Sequence, residues 1–392
     1  MDRRAFGCDD ASGPVERAVE IPPFLAMDVM ADAAALERAG RDIVHMEVGE
    51  PDWPVDEHVV EAAVRALRDG RARYTVTEGI LPLREAIAAR YRTRYGVEVD
   101  PDRILVTLGA SPAFFLAWGA LLDAGDEVLI PDPHYACYPG QLAFLGGRPV
   151  RFPLDVARGY AFDFDALRAR LGPRTKAILL NSPSNPTGTV ASRAELDRLG
   201  ELGPWIVSDE IYHGVEYGAE RADTMLRHGE RVFVIDGCSK RWRMTGYRLG
   251  WIVLPPAFVR CVRKMHQNYF LCASEFVQRA ALAAVSGPQD SVDRMVEEYD
   301  RRRRVLVDGL RRLGFRIDYE PAGAFYVLAG AEHLGDDSVA VVRRILRETL
   351  VAVTPGADFG PAASRCLRFS YSASLERIEE GLRRLAPLAR GG

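Results

Sequence analysis

Residues 232–250 read VFVIDGCSKRWRMTGYRLG, and this stretch decides the fold. Its first four residues are apolar without alternation, the pattern of a strand buried on both faces. The run stops at Asp236-Gly237, and Lys240 stands just beyond the strand's carboxyl end. Lysine is rare here: of 51 basic residues, only Lys176, Lys240 and Lys264 are lysines. Arginine replaces lysine on a solvated surface but cannot bond covalently to a carbonyl or act as a base at neutral pH. Lys176 precedes a strand and Lys264 lies on a charged amphipathic helical pattern, so both read as surface residues. Lys240 is the outlier.

Working outward from 232–235, apolar strand patterns recur at 104–108, 127–130, 177–180, 205–207 and 251–254. Helical periods separate them at 113–122, 164–171 and 193–202. That alternation predicts an α/β large domain with a mainly parallel, seven-stranded sheet covered by helices on both faces. From about residue 289 the texture changes. Helical patterns at 291–313, 338–349 and 375–388, with strands at 316–319, 323–328, 351–354 and 366–371, predict a smaller α/β domain. A helix over 24–39 and a strand over 43–48 precede the large domain. The expected division is a flexible N-terminus (1–20), a segment packing with the small domain (21–54), the large domain (55–290) and the small C-terminal domain (291–392).

Composition narrows the function classes. A chain of 392 residues that is 48% hydrophobic and 27% charged has ample material for a buried core. The net charge of −4 gives no electrostatic case for nucleic acid or an anionic membrane as partner. The longest apolar run, 113–122, ends at Asp123, well short of a membrane span. The N-terminus lacks the apolar region of a secretory signal, so a cytoplasmic protein is expected. Six scattered cysteines contain no C-x-x-C pair, which argues against a zinc ribbon or a disulfide scaffold. No metal site is expected.

In an open parallel sheet, ligands bind outside the carboxyl ends of the strands. The first such end carries Gly109-Ala110-Ser111-Pro112, where Ser111 suits an N-cap and Pro112 the first helical position. Small residues there admit a phosphate to free backbone N–H groups at a helix start. The strand at 177–180 ends in a turn holding Asn185, with the bond before Pro186 a candidate cis bond. Asp209 ends the strand at 205–207, and a buried acid there needs a cation or donors. A phosphate pocket, an asparagine, a carboxylate and a lysine together match the needs of pyridoxal phosphate.

These segments resemble the class I/II aminotransferases, pyridoxal-phosphate enzymes of the aspartate aminotransferase fold (fold type I). The resemblance runs through Gly49-Glu50-Pro51-Asp52, Tyr74 to Gly79, Pro133-His134-Tyr135-Ala136-Cys137-Tyr138-Pro139, residues 181–188, 208–212 and 239–250, Pro321-Ala322-Gly323-Ala324-Phe325-Tyr326 and Arg368-Phe369-Ser370-Tyr371. It implies that Lys240 is the Schiff-base lysine and Asp209 the partner of the pyridine nitrogen. It implies that Tyr212 and Asn185 bond the cofactor's phenolic oxygen and that Tyr135 stacks on its ring. Gly109, Ala110, Ser111 and Arg248 would hold the phosphate, with Tyr74 reaching it from a partner subunit of a homodimer. Gly49, Asn185 and Arg368 would bind the substrate, Arg368 as a fork on the α-carboxylate.

The implied activity is transfer of an α-amino group from an amino acid to a 2-oxo acid by a ping-pong route. Departures from the family pattern are Gly237, where many relatives have a serine, and Ser111, where certain dicarboxylate-active relatives have a lysine. Arg241 and Arg243, beside Lys240, are open to an acidic-substrate, a phosphate-linked or a surface reading. The competing reaction is a C–S β-lyase on the same fold, separable by its products. A cofactor-sensing regulator would need a DNA-binding module, and no basic helix-turn-helix pattern remains in the chain.

Overall fold

A computed structural model describes residues 13–218 and 221–389. Its large sheet runs in the order 104–107, 250–253, 232–237, 205–209, 175–181, 127–132, 148–155 and 161–162. Strands Val232–Gly237, Trp205–Asp209, Thr175–Asn181, Glu127–Asp132 and Arg148–Asp155 pair in parallel. Gly250–Val253 runs antiparallel between Val232–Gly237 and Ile104–Thr107. Seven strands thus form the body of the sheet, and the two-residue Ala161–Phe162 adds an antiparallel eighth at its edge. Alternate residues of one strand serve different cores: Ile104 and Val106 face one apolar layer, Leu105 the other. That is why these strands read as unbroken apolar runs.

Strand Arg148–Asp155 has no such run. Pro149, Pro153, Arg148 and Arg151 break up its apolar pattern, and only Phe152 in it is fully buried. Its place near the sheet edge tolerates prolines. Conversely, the strand expected at 316–319 is reduced to a single antiparallel bridge, Arg316 to Gly330. Arg316 pairs with both Asp318 and Glu332 on the outer side, while Phe315, Ile317 and Tyr319 alternate with them into the core.

The C-terminal third builds a three-stranded antiparallel sheet from Tyr326–Gly330, Cys366–Ser370 and Thr354–Pro355. Helices Asp290–Arg312, Ser338–Thr349 and Leu375–Ala389 accompany it. The N-terminal segment joins this part of the molecule, because Val44–His45 pairs in parallel with Val351–Ala352. Helix Leu25–Arg38 is anchored there too: the Asp358 carboxylate accepts the N–H groups of Leu25 and Ala26. Of the expected flexible N-terminus, residues 1–12 lie outside the described residues, and Glu16–Val19 forms one helical turn.

Candidate active site

The carboxyl ends of the parallel strands meet the small domain at a cavity of about 300 Å³. Lys240, Asp209, Tyr212, Asn185, Tyr135, Ala110, Ser111, Arg248, Arg368 and Gly49 all line it. Gly109 lies directly behind Ala110. Only Tyr74 stands apart, on the surface and 82% exposed.

The helix start differs in detail from expectation. Gly109, not Ser111, is the N-cap, at φ 93°, and the helix runs Ala110–Leu121, with Ser111 second and Pro112 third. Pro112 costs no bond there, because the first helical N–H groups have no partner within the helix. Glycine is required at 109 twice over: by the positive φ, and because a Cβ would lie 2.8 Å from Nη2 of Arg248. Arg248 itself takes φ 54° and donates from Nη1 to the Thr245 carbonyl at 2.9 Å. A guanidinium laid against a glycine at a helix N-terminus is suited to a phosphate. Gly237 has a packing reason as well: a Cβ would meet the Leu249 carbonyl oxygen at 2.9 Å.

Lys240 donates from Nζ to the Gly49 carbonyl at 2.7 Å. Burial, helped by the like charges of Arg368 and Arg248, pushes its amine down to about 8. Asp209 accepts from the Tyr138 hydroxyl at 2.6 Å and from the Ile211 N–H at 3.2 Å. Burial pushes its carboxyl up to about 6 against the pull of those two donors. The adjacent Glu210 faces away from the cavity, bonded to the Met225 N–H and the hydroxyls of Ser208 and Thr224. The strand's alternation thus presents one acid and hides the next.

Arg368, 3% exposed, donates from Nη1 to Asn185 Oδ1 and from Nη2 to Thr354 Oγ1, both at 3.0 Å, and to the Glu47 carbonyl. Its guanidinium lies over the rings of Tyr326 and Phe359, at 4.4 and 4.9 Å, and its Nε has no partner. Asn185 is held in turn by its own N–H to Asn181 Oδ1 at 2.8 Å, and the bond to Pro186 is cis. The hydroxyls of Tyr212 and Tyr326 are 3.0 Å apart. Gly49 has no room for a side chain, since a Cβ would fall 1.6 Å from the Tyr326 hydroxyl.

Arg241 and Arg243 are buried and do not line the cavity. Arg243 pairs with Asp56 and donates to Ser291. Arg241 donates to the Gly214 carbonyl at 2.8 Å and approaches Gln289. Tyr138 and Tyr326 were missed as site residues in the sequence reading. Tyr138 falls three residues after Tyr135, at the start of helix Cys137–Phe144, a spacing that brings both rings to one side. Among the described residues, no group of His, Cys, Asp and Glu could hold a metal ion.

The donor set fits pyridoxal phosphate: a lysine with a depressed amine, a buried acid, the Tyr135 ring on the cavity wall, and a glycine-floored helix start with Arg248. Comparison with known proteins gives the same direction. A family model described as aminotransferase class I and II matches residues 41–385. The chain is 36% identical to a (5-formylfuran-3-yl)methyl phosphate transaminase of Methanocaldococcus jannaschii, over 94% of this chain and 98% of that protein. It is equally 36% identical to a probable aspartate/prephenate aminotransferase of Aquifex aeolicus, covering 95% and 98%. The solved aspartate aminotransferase of Thermus thermophilus with maleate superposes with a TM-score of 0.92 at 35% identity, covering 96% of this chain and 99% of that one.

Proposed function

This chain belongs to the class I and II aminotransferases, a family that depends on pyridoxal phosphate, and from that premise we propose that it transfers an α-amino group from an amino acid to a 2-oxo acid by a ping-pong route at the cavity around Lys240. One observation carries the reading. The single lysine beyond a central strand has its amine in a cavity that also holds Asp209 and Arg368, and its affinity for protons is depressed.

When bound, pyridoxal phosphate supplies an aldehyde for the amine and a ring that accepts the electrons freed at the substrate Cα. Asp209 holds the ring-nitrogen proton, which matters most as charge develops in the transition state. Tyr212 and Asn185 are the hydrogen-bonding groups for the phenolic oxygen, and Tyr135 supplies an aromatic face. The N–H groups at Ala110 and Ser111, with Arg248, serve the phosphate. Arg368 grips the α-carboxylate, and its unpartnered Nε, next to rings that exclude water, strengthens that grip. Lys240, whose amine burial brings down to about 8 and so releases its proton far more readily than an ordinary lysine, would take the proton from the substrate Cα. Neither of the two relatives quoted above is named a lyase, and no feature of the cavity favours elimination.

The Tyr74 loop lies outside its own cavity, and an apolar group surrounds it: Val76, Tyr269 and Leu271 are all more than half exposed. A second copy of the chain covers this surface and receives Tyr74, giving a homodimer with shared sites. Sedimentation would test it; a monomer at working concentration would refute the shared site.

The function is tested by an absorbance scan of the purified protein and addition of single amino acids without an oxo acid. A visible band that borohydride fixes onto Lys240, and that amino acids convert to the pyridoxamine form, is expected. Lys240→Ala should abolish turnover while keeping some cofactor bound; turnover near the parent level in that variant would overturn the assignment. Pyruvate accumulating from an S-substituted cysteine, with the band unchanged, would indicate the lyase instead.

A further inference from the structure

We infer that the substrate side-chain pocket of this site takes a large neutral side chain, apolar or aromatic, and rejects a second carboxylate. The inference rests on the amino-transfer reading and adds the substrate class. Three cations line the cavity: Lys240, Arg248 and Arg368. Each already has a task. Arg368 serves the α-carboxylate and Lys240 the amino group. Arg248 lies at the helix start above Gly109, at the phosphate end. The arginines next to Lys240 in sequence are unavailable, since Arg243 is bound to Asp56 and Arg241 to the Gly214 carbonyl.

The wall that remains is apolar or neutral: Phe24 and Met27 from the N-terminal segment, Val48, Phe114 and Gln141. Glu47 also lines the cavity, but its side chain is fully buried, with Oε1 bonded to His45 Nδ1 at 2.7 Å. A second substrate carboxylate would therefore lose its hydration and gain no cation. A ring or branched chain meets the opposite conditions. A second hollow of about 380 Å³ shares Phe24, Ser111 and Gln141 with the site, and its other walls include Ile21, Pro22, Phe115, Phe144 and Leu145. Apolar surface removed from water there stabilises the complex. Gln141, a neutral side chain, borders both spaces.

The loop that would come from a second copy carries apolar side chains as well as arginines. The Thr75 N–H bonds to Cys272 Sγ at 3.4 Å, and Gln278 joins Thr75 Oγ1 to the Ala273 carbonyl. Whatever carries Tyr74 into a neighbouring site thus brings the exposed apolar side chains Tyr269 and Leu271 with it. Arg71 on that loop lies 3.8 Å from Glu275, which leaves Arg73, exposed and beside Tyr74, as the cation that would count against the inference, and so it is varied in the test.

The test uses the holoenzyme and two readouts. In single-turnover mixing, phenylalanine and leucine should convert the cofactor band at least about a hundredfold faster per unit concentration than aspartate or glutamate. In calorimetric titration, the unreactive 3-phenylpropanoate should bind at least about tenfold more tightly than succinate. A smaller ratio in either assay overturns the inference and leaves amino transfer standing. Conversion by no amino acid, with the band present, overturns amino transfer and this inference with it. Gln141→Arg should raise the aspartate rate at least about tenfold with the band intact; no gain would overturn the placement of the pocket. Arg73→Ala should leave the preference unchanged, and a collapse of an aspartate reaction in that variant would overturn the inference.

Discussion

Tyr138→Phe removes one oxygen from a buried position and tests how Asp209 is kept ionised. The hydroxyl donates to Asp209 Oδ2 at 2.6 Å, and both residues are buried. A hydrogen bond to a charged acceptor contributes roughly 1.5–3 kcal/mol net, which is about one to two pKa units on the carboxyl. Burial already holds Asp209 at about 6 with that bond in place. Without it, the acid should titrate near about 7 to 8 in the cofactor-free protein, so the ionised fraction at neutral pH falls by about two- to tenfold. Only ionised Asp209 favours a protonated ring nitrogen. The affinity for pyridoxal phosphate, titrated by fluorescence over a series of pH values, should therefore lose its acid limb at a pH about one to two units higher than in the parent. The aromatic ring stays, so the contacts of Tyr138 with Phe114 and Tyr135 are kept. An acid limb in the same place, in a variant of unchanged thermal stability, would refute the reasoning.

Other substitutions separate the remaining parts. Arg368→Lys should keep the cofactor band but lower kcat/KM by about ten- to a hundredfold, because lysine cannot offer the paired N–H fork; an unchanged value would remove Arg368 from the carboxylate site. His45→Gln probes the link from Glu47 to Glu37: hydrogen bonding to Glu47 raises the imidazole to about 9 from an ordinary value of 6.5. A raised folded-state value means its stabilisation is complete below 6.5 and lost as pH rises through about 9, so parent and variant should differ in Tm at acid pH and converge in alkali. Ser192→Ala breaks a capping box in which Ser192 Oγ accepts from the Glu195 N–H and the Glu195 carboxylate accepts from the Ser192 N–H. About 1 kcal/mol of stability should be lost in denaturant unfolding, with activity unchanged.

The sheet was legible because its strands are buried on both faces, and such strands are apolar at every position. The same property marked their ends: a charge straight after an apolar run, as at Asp209, has little freedom over where it lies. Strand Arg148–Asp155 was illegible because prolines and arginines near an edge carry no such pattern. The helix starts two residues earlier than Ser111 and Pro112 suggest: they have the chemistry of a cap and first position, while Gly109 at positive φ takes the cap and Ala110 comes first. The bonds of Tyr138 to Asp209 and of Arg368 to Asn185 join residues 71 and 183 positions apart. Pairings across that separation leave no periodic trace in the chain; folding alone decides them. Arg241 and Arg243 show the converse, for adjacency to Lys240 in sequence put neither in its cavity.

Burial acts on Lys240 and Asp209 in opposite directions, lowering the amine to about 8 and raising the acid to about 6. Both shifts have the same first cause, burial away from water, which disfavours the charged form of each group. A ligand with a cationic ring edge, a reactive carbonyl and an anionic phosphate supplies what each group lacks: a positive partner for Asp209, a bond for the neutral amine of Lys240, and a negative partner for Arg248. Arg368 has no counterpart on that ligand, and Asn185 Oδ1, Thr354 Oγ1 and the Tyr326 ring hold its guanidinium in place. It is therefore the group suited to a substrate that enters and leaves in each half-reaction, while the other three are suited to a cofactor that stays.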